Sequence, residues 1–335
     1  MVFVTGGTGF LGSHLIYQLI KRGEKVKALK RAGSSFEMIQ RVFVYFDGNG
    51  EELFQKIEWV EGDLLDICSL DGFLKDVHSI YHCGAMVSFQ KGDKAQMQTI
   101  NIEGTANLVN AALKQNVKGF CHVSSIAAIG RADNDDVINE NVVWKNSKVN
   151  SNYAVSKYGA EMEVWRGIEE GLNAVIVNPS VIIGPGELKS GIGSMIRMVK
   201  KGFNFYTQGI NGFVDVRDVA KTMIALLEKE VVGQRFIISA NNIGYKQIFD
   251  WIATYFDKPG PKYPAGQWMS EIAWRVFHIR KLITNKKPLI TKETARTANK
   301  KYLYSNKKIL DTIDFQFLPL QESVKDSCSL FIQSI

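Results

Sequence analysis

The 335-residue chain has four cysteines, Cys68, Cys83, Cys121 and Cys328, and no two of them form a C-x-x-C pair. Scattered thiols argue against a disulfide framework and suit a reducing, cytoplasmic setting. Histidine is equally sparse. His14, His78, His82, His122 and His278 make no H-E-x-x-H or comparable cluster, so no metal is predicted. No apolar run approaches the ~18 residues that a membrane span needs. The first β-branched run starts at Val2, which leaves no room for a signal peptide and again predicts a cytoplasmic protein. Internal repeats and low-complexity linkers are missing too, so a second lobe would be interleaved with the first rather than tethered by a flexible joint.

What is present is ordinary in amount and uneven in placement. A hydrophobic content of 45% over this length is enough for one α/β domain with a smaller appendage. The net charge of +7 is concentrated: between Lys258 and Lys308, thirteen Lys/Arg stand against Glu271 and Glu293, +11 there and −4 elsewhere. Basic residues do not alternate with aromatics as on a nucleic-acid platform, so no nucleic acid is expected and the stretch reads as a solvated basic face. Within it, Trp268, Met269, Ile272, Ala273, Trp274, Val276 and Phe277 have helical spacing, with Arg275, Arg280 and Lys281 nearby. This segment is expected to pack on the core. Membrane contact or closure over an apolar substrate are its other uses.

The chain is organised around Val2-Phe3-Val4-Thr5-Gly6-Gly7-Thr8-Gly9-Phe10-Leu11-Gly12. An apolar strand runs into a glycine turn and then into a helix over Ser13–Ile20, the context that a G-x-G-x-x-G dinucleotide fingerprint requires. Glycine permits the tight turn, close approach of a pyrophosphate and close helix–strand packing, and free N–H groups at the helix start receive phosphate charge. Gly6, Gly9, Phe10, Leu11 and Gly12 are the candidate cofactor positions. A second strand, 24–29, ends at Lys30-Arg31, followed by Ser34-Ser35. An acid at this place would hold a ribose 2′-hydroxyl; two cations suit a 2′-phosphate, so NADP is favoured over NAD.

Strand three, 57–62, delivers Asp63-Leu64, where a carboxylate can accept from an adenine amine. Strand four, 79–83, runs into Gly84-Ala85-Met86, small enough to lie against a ribose. A helix is expected over 96–115, with Asn101 either a cap or an anchor behind the site. Strand five, 118–123, brings Ser124-Ser125 to its carboxyl end, where open α/β sheets bind ligands. A polar loop, 131–150, precedes a helix over 152–169, and strand six, 173–179, ends in Asn178-Pro179. Residues 180–187 read as a loop, 192–201 as a helix, 212–218 as a turn and strand, 219–229 as a helix, 234–239 as a strand and 245–256 as a helix. The remainder reads as helical pieces broken by Pro288 and Pro319.

Tyr-x-x-x-Lys occurs three times, at Tyr17/Lys21, Tyr153/Lys157 and Tyr304/Lys308. Only Tyr153/Lys157 follows a serine-bearing strand end, one helical turn apart on one face. A free tyrosine titrates near 10. A neighbouring ammonium is expected to lower that value toward the range useful for proton transfer. Ser125, with Ser124 in support, would steady a substrate oxygen.

Thr5-Gly-Gly-Thr-Gly-Phe-Leu-Gly12, Gly62-Asp63-Leu64, His82-Cys-Gly-Ala-Met-Val-Ser-Phe89, Asn101-Ile-Glu-Gly-Thr105, Val123-Ser-Ser125, Tyr153-x-x-x-Lys157, Asn178-Pro179 and Phe213-Val-Asp-Val-Arg-Asp218 together resemble the extended short-chain dehydrogenase/reductases of the NAD-dependent epimerase/dehydratase superfamily. The tail around Asn306-Lys-Lys-Ile-Leu and Phe315 resembles that family's substrate lobe. The resemblance implies a Rossmann fold, a doubly wound parallel sheet over 1–180 with returning segments near 212–240. A smaller, interleaved α/β substrate lobe would occupy 181–335. It implies a Ser125, Tyr153, Lys157 triad, with Lys157 also on the nicotinamide ribose, Asp63 at the adenine, and Ala85, Asn178 and Pro179 flanking ribose and nicotinamide. Asn178 stands where many relatives carry arginine. Lys30-Arg31 and Met86-Val87-Ser88-Phe89 are similar to the dihydroflavonol-reductase and 3β-hydroxysteroid-dehydrogenase-like branch. That branch implies NADPH-dependent reduction of a small carbonyl compound. A sugar-nucleotide epimerase or dehydratase, its basic tail receiving a diphosphate, is the alternative. A nucleotide sensor is disfavoured by the intact Ser/Tyr/Lys set. A homodimer through helices 96–115 and 153–169 is common among such relatives, and monomers also occur.

Overall fold

The computed structural model describes residues 1–48, 50–130, 137–147, 150–266, 268–269, 271–272, 274–275 and 298–334. Strands β1 (Val2–Thr5), β2 (Val26–Lys30), β3 (Ile57–Glu61), β4 (Ser79–His82), β5 (Gly119–Val123) and β6 (Ala174–Pro179) form one parallel sheet, joined by β10 (Gln234–Ile238). Its order is β10-β6-β5-β4-β1-β2-β3. Such a sheet is covered on both faces, so successive strand residues feed two cores. Val2, Val4 and Ala28 face one core with helices α1 (Phe10–Lys21), α2 (Glu37–Asp47), α3 (Gly50–Phe54) and α9 (Val216–Glu228). Phe3, Leu29, Phe120 and Ile176 face the other, with α4 (Ile67–Phe73), α6 (Gly104–Lys114) and α7 (Asn152–Glu169). Chain direction across the sheet reverses between β1 and β4, and the crevice outside their carboxyl ends is the expected ligand position.

The second lobe differs in detail from the sequence expectation. Val181–Ile183, read as loop, is β7; its β-branched side chains pair in parallel with β9 (Ile210–Asp215), which pairs antiparallel with β11 (Asn241–Gly244). The strand expected through Asp218 stops at Asp215. That carboxylate caps α9, accepting from the Arg217 N–H at 2.7 Å, and the helix starts at Val216. A short ribbon pairs β8 (Phe205–Tyr206) with β12 (Tyr263–Pro264). Helices α8 (Gly191–Lys200), α10 (Tyr245–Tyr255), α11 (Lys307–Thr312) and α12 (Leu320–Gln333) complete the lobe. The helix expected over 96–115 is two helices, α5 (Lys94–Gln98) and α6, separated by a π-turn at Thr99–Glu103. Pro288, Ala273, Val276, Phe277, Arg280, Lys281 and the 131–136 part of the polar loop lie outside the described residues.

Candidate active site

The glycine turn is built by contact as much as by conformation. Gly6 has φ +69°, and a Cβ there would meet the Cys83 carbonyl carbon and Gly84 nitrogen at 2.8 Å; at Gly12 it would meet the Gly6 oxygen at 2.2 Å. These two positions seal β1 against β4 and α1. Gly9 caps α1 in extended conformation, with no side-chain cap and no acid in the first turn. The first N–H groups of α1, at Phe10 and Leu11, therefore open toward the crevice and fit a pyrophosphate.

At the end of β2 the two cations have separate fates. Lys30 is ion-paired with Glu61 of β3, so the structure takes it out of the free basic pair read from the sequence. Arg31 is exposed, its backbone N–H donates to Ser34 Oγ at 3.2 Å, and among the described residues its guanidinium has no partner. Asp63 is exposed and uses one oxygen to accept from the Leu65 N–H at 2.9 Å, leaving the other for a ligand. Leu64 is buried in the core, and its carbonyl accepts from Asn107 at 3.0 Å. Ala85 is exposed on the loop after β4.

That loop is held by two residues whose tertiary roles sequence reasoning left open. Asn101, in the π-turn, accepts from the Met86 N–H at 2.7 Å and donates to the Met86 carbonyl at 2.9 Å and to Ser156 Oγ at 3.0 Å. It is an anchor between loop and α7, not a surface cap. His82 lies between Thr5 Oγ1 at 2.7 Å and Thr105 Oγ1 at 2.9 Å. Because Thr105 donates to the Asn101 carbonyl, it accepts from His82 Nε2–H, which leaves Nδ1 to accept from Thr5. Burial pushes His82 down to about 3, so the imidazole is neutral.

Three side chains converge where β5 meets α7. Tyr153 and Lys157 sit four apart on α7, which Ser151 caps by accepting from the Ala154 N–H at 2.9 Å. The Ser125 Oγ accepts from the Ala127 N–H at 3.2 Å and lies close enough to Tyr153 to act on its phenol. Lys157 is buried and donates to the Val123 carbonyl at 2.6 Å. Burial pushes its ammonium down to about 8, against the opposing pull of Glu161 and Cys83. Tyr153 departs from expectation: burial raises its phenol above 10, only Ser125 acts in the other direction, and Lys157 does not depress it. Ser124 turns away and donates to Glu161 at 2.7 Å.

Behind this trio lies a polar knot. Glu161 is fully buried and accepts from Ser124, from Asn178 Nδ2 at 2.9 Å and from Arg235 of β10 at 3.0 Å. Asn178 also donates to the Ser125 carbonyl at 3.0 Å. Its amide is thus used inside the protein, and Pro179 beside it is buried. The other two Tyr/Lys pairs do structural work: Lys21 pairs with Asp47, and Lys308 donates to the Arg235 carbonyl at 2.9 Å.

The profile of the NAD dependent epimerase/dehydratase family matches residues 2–239. The chain belongs to that family. Within it, a Synechocystis sp. protein that bears the name dihydroflavonol 4-reductase is 31% identical over 279 residues, 81% of this chain and 77% of that one. Cinnamoyl-CoA reductase 1 of Petunia hybrida is 24% identical, covering 98% of this chain and 90% of its own. The solved structure of gox2253 superposes with a TM-score of 0.81 at 30% identity, over 100% of this chain and 98% of that one. This epimerase/dehydratase-family protein is therefore an NAD(P)-dependent enzyme of the extended short-chain dehydrogenase/reductase type. Among the described residues there is no cluster of three potential metal ligands, and no helix is long and apolar enough to cross a membrane.

Proposed function

We propose that the protein reduces the carbonyl of an apolar aldehyde or ketone to an alcohol with NADPH. The observation that carries this reading is the edge-on packing of Phe89 against Tyr153, with ring centroids 5.6 Å apart. Val87 and Phe89 are large apolar side chains left 62% and 41% exposed on the loop beside the reactive phenol, a wall suited to an uncharged substrate. The relatives' reductase names agree with this, and the apolar wall favours it over a sugar diphosphate.

A dinucleotide bound at the glycine turn would supply the hydride. Tyr153, protonated because burial raises its phenol, gives its proton to the carbonyl oxygen. Ser125 holds that oxygen as charge develops. Lys157 stands one turn behind Tyr153 and would hold the cofactor ribose, and Asn101 fixes the loop after β4. Arg31 and Ser34 are the groups that favour the 2′-phosphate of NADPH, with NAD as the competing cofactor.

Fluorescence titration with NADPH and NADH side by side, followed by turnover on a carbonyl panel, tests the proposal. NADPH is expected to bind more tightly and exchange freely, and Tyr153→Phe to lower turnover roughly 10²–10⁴-fold with nucleotide affinity kept. A preference for NADH, or NAD that cannot be removed, would move the protein to the epimerase reading. Undiminished turnover in Tyr153→Phe would remove the catalytic assignment.

A further inference from the structure

One edge of the second lobe carries large apolar groups that the core leaves uncovered. Phe203 meets Phe205, and Phe205 meets Tyr263, each pair with centroids 5.8 Å apart. The β8–β12 ribbon holds these rings outward through Tyr263 N–H to Asn204 O at 2.9 Å and Ala265 N–H to Tyr206 O at 2.7 Å. All three rings are exposed, and the chain continues to Trp268, 85% exposed, with Met269 and Ile272 also exposed. For these last three residues the expected packing against the core does not occur. A soluble surface rarely leaves so many large apolar side chains together, and tryptophan and tyrosine favour positions that are half apolar and half wet.

Cations surround the rings. Lys201, Lys258 and Lys262 are exposed, and Lys258 donates to the Lys200 carbonyl at 2.7 Å, joining the two segments. Nearby acids are mostly engaged: Glu271 by Arg275 at 2.8 Å and Asp250 by Lys246 at 2.7 Å, while Asp257 is exposed beside Lys258. Lys200 and Lys201 also line a groove of about 510 Å³ with Arg41, Lys189 and Arg197, where the acid is Glu37, already shared by Arg41 and Lys189.

We propose that this edge docks peripherally on an anionic phospholipid surface. The rings of Phe203, Phe205, Tyr263 and Trp268 would enter the headgroup boundary, and the basic groove would receive a lipid phosphate. Apolar burial and attraction to anionic headgroups each act at such a surface, and their combination distinguishes it from a dry protein interface. The rings, Lys201 and Lys262 lie on elements other than those that carry the glycine turn, Arg31, Ser34, Ser125, Tyr153 and Lys157, so their substitution is separable from nucleotide binding.

Flotation of the full-length protein with vesicles of phosphatidylcholine, with and without phosphatidylglycerol, tests this. Binding is expected to the anionic vesicles only and to fall as salt is raised. Trp268→Ser/Ile272→Ser and Lys201→Glu/Lys262→Glu should each lower the bound fraction at least tenfold while the NADPH titration is unchanged. The proposal is overturned by absence of flotation, by equal binding to neutral vesicles, or by variants that bind as well as the parent. It is also overturned if sedimentation velocity finds a dimer that Trp268→Ser dissolves, since the edge would then belong to a second copy.

Discussion

At the scale of single residues, the site rests on charges placed where water is scarce. Lys157 is ionised below about pH 8 and neutral above it. A reaction that uses its ammonium is therefore at full rate below that value and declines as pH rises through it. The fold responds in the opposite sense: the unfolded chain keeps this proton to about 10.4, so deprotonation stabilises the native state between about 8 and 10.4. A pH profile of kcat/KM is expected to show an alkaline limb near 8 that Lys157→Met removes; a limb that persists in the variant would assign it elsewhere. Glu161 and Arg235 form the second such case. Arg235→Met leaves a buried carboxylate without its counter-charge and should cost about 3–5 kcal/mol in urea unfolding. Adding Glu161→Leu should recover part of it, the signature of a coupled pair. The Tyr153/Lys157 spacing was legible because it is local to one helix. Arg235 was not, because its partner is 74 positions away and no periodicity links β10 to α7. Asn178 illustrates the same limit: no local pattern links it to Glu161, and the cation that meets that carboxylate comes from another strand.

At the scale of elements, the sequence spoke clearly where residues repeat and faintly where they are few. Most strands of the large sheet showed as apolar runs leading into glycine or serine, and β2 as one ending at Lys30-Arg31. The three-residue β7 was hidden because Ser180 and Gly184-Pro185 bracket it with turn residues, and only pairing with β9 makes it a strand. The start of α9 was misplaced for a related reason. Val214 to Val216 alternates like a strand, but Asp215 caps the helix and is held by Arg217, which also reaches Asp326 of α12 at 2.7 Å. Burial pushes the Asp215 carboxyl up, and the Arg217 hydrogen bond and charge more than offset this, so it is ionised. Asp215→Ala removes a cap and leaves the half-buried Arg217 guanidinium with Asp326 alone, and thermal unfolding should report a loss of about 3 kcal/mol. Asp215→Asn, which keeps the cap, should lose less. The π-turn at Thr99–Glu103 was invisible to a reading based on a 3.6-residue period. Its effect is to aim Asn101 at two elements at once. Asn101→Ala should lower kcat more than stability predicts, because loop 84–86 loses both backbone bonds; equal losses in both would make the residue merely structural.

At the scale of the whole molecule, the two lobes are threaded through each other. The chain leaves the large sheet after β6, lays down β7 and β9 in the small sheet, returns through α9, and only then adds β10 beside β6, with Ile238 opposite Pro179. Arg235, the partner of the buried Glu161, arrives on that late strand. The consequence concerns the order of assembly. A nascent chain released only to residue 180 would hold the nucleotide turn and the Ser-Tyr-Lys residues, yet its Glu161 would face a missing cation and its outer strand a missing neighbour. Such a fragment should remain protease-sensitive, and acquisition of resistance should await synthesis past Ile238, with both lobes then melting in one transition whether followed by far-ultraviolet dichroism or by tryptophan emission.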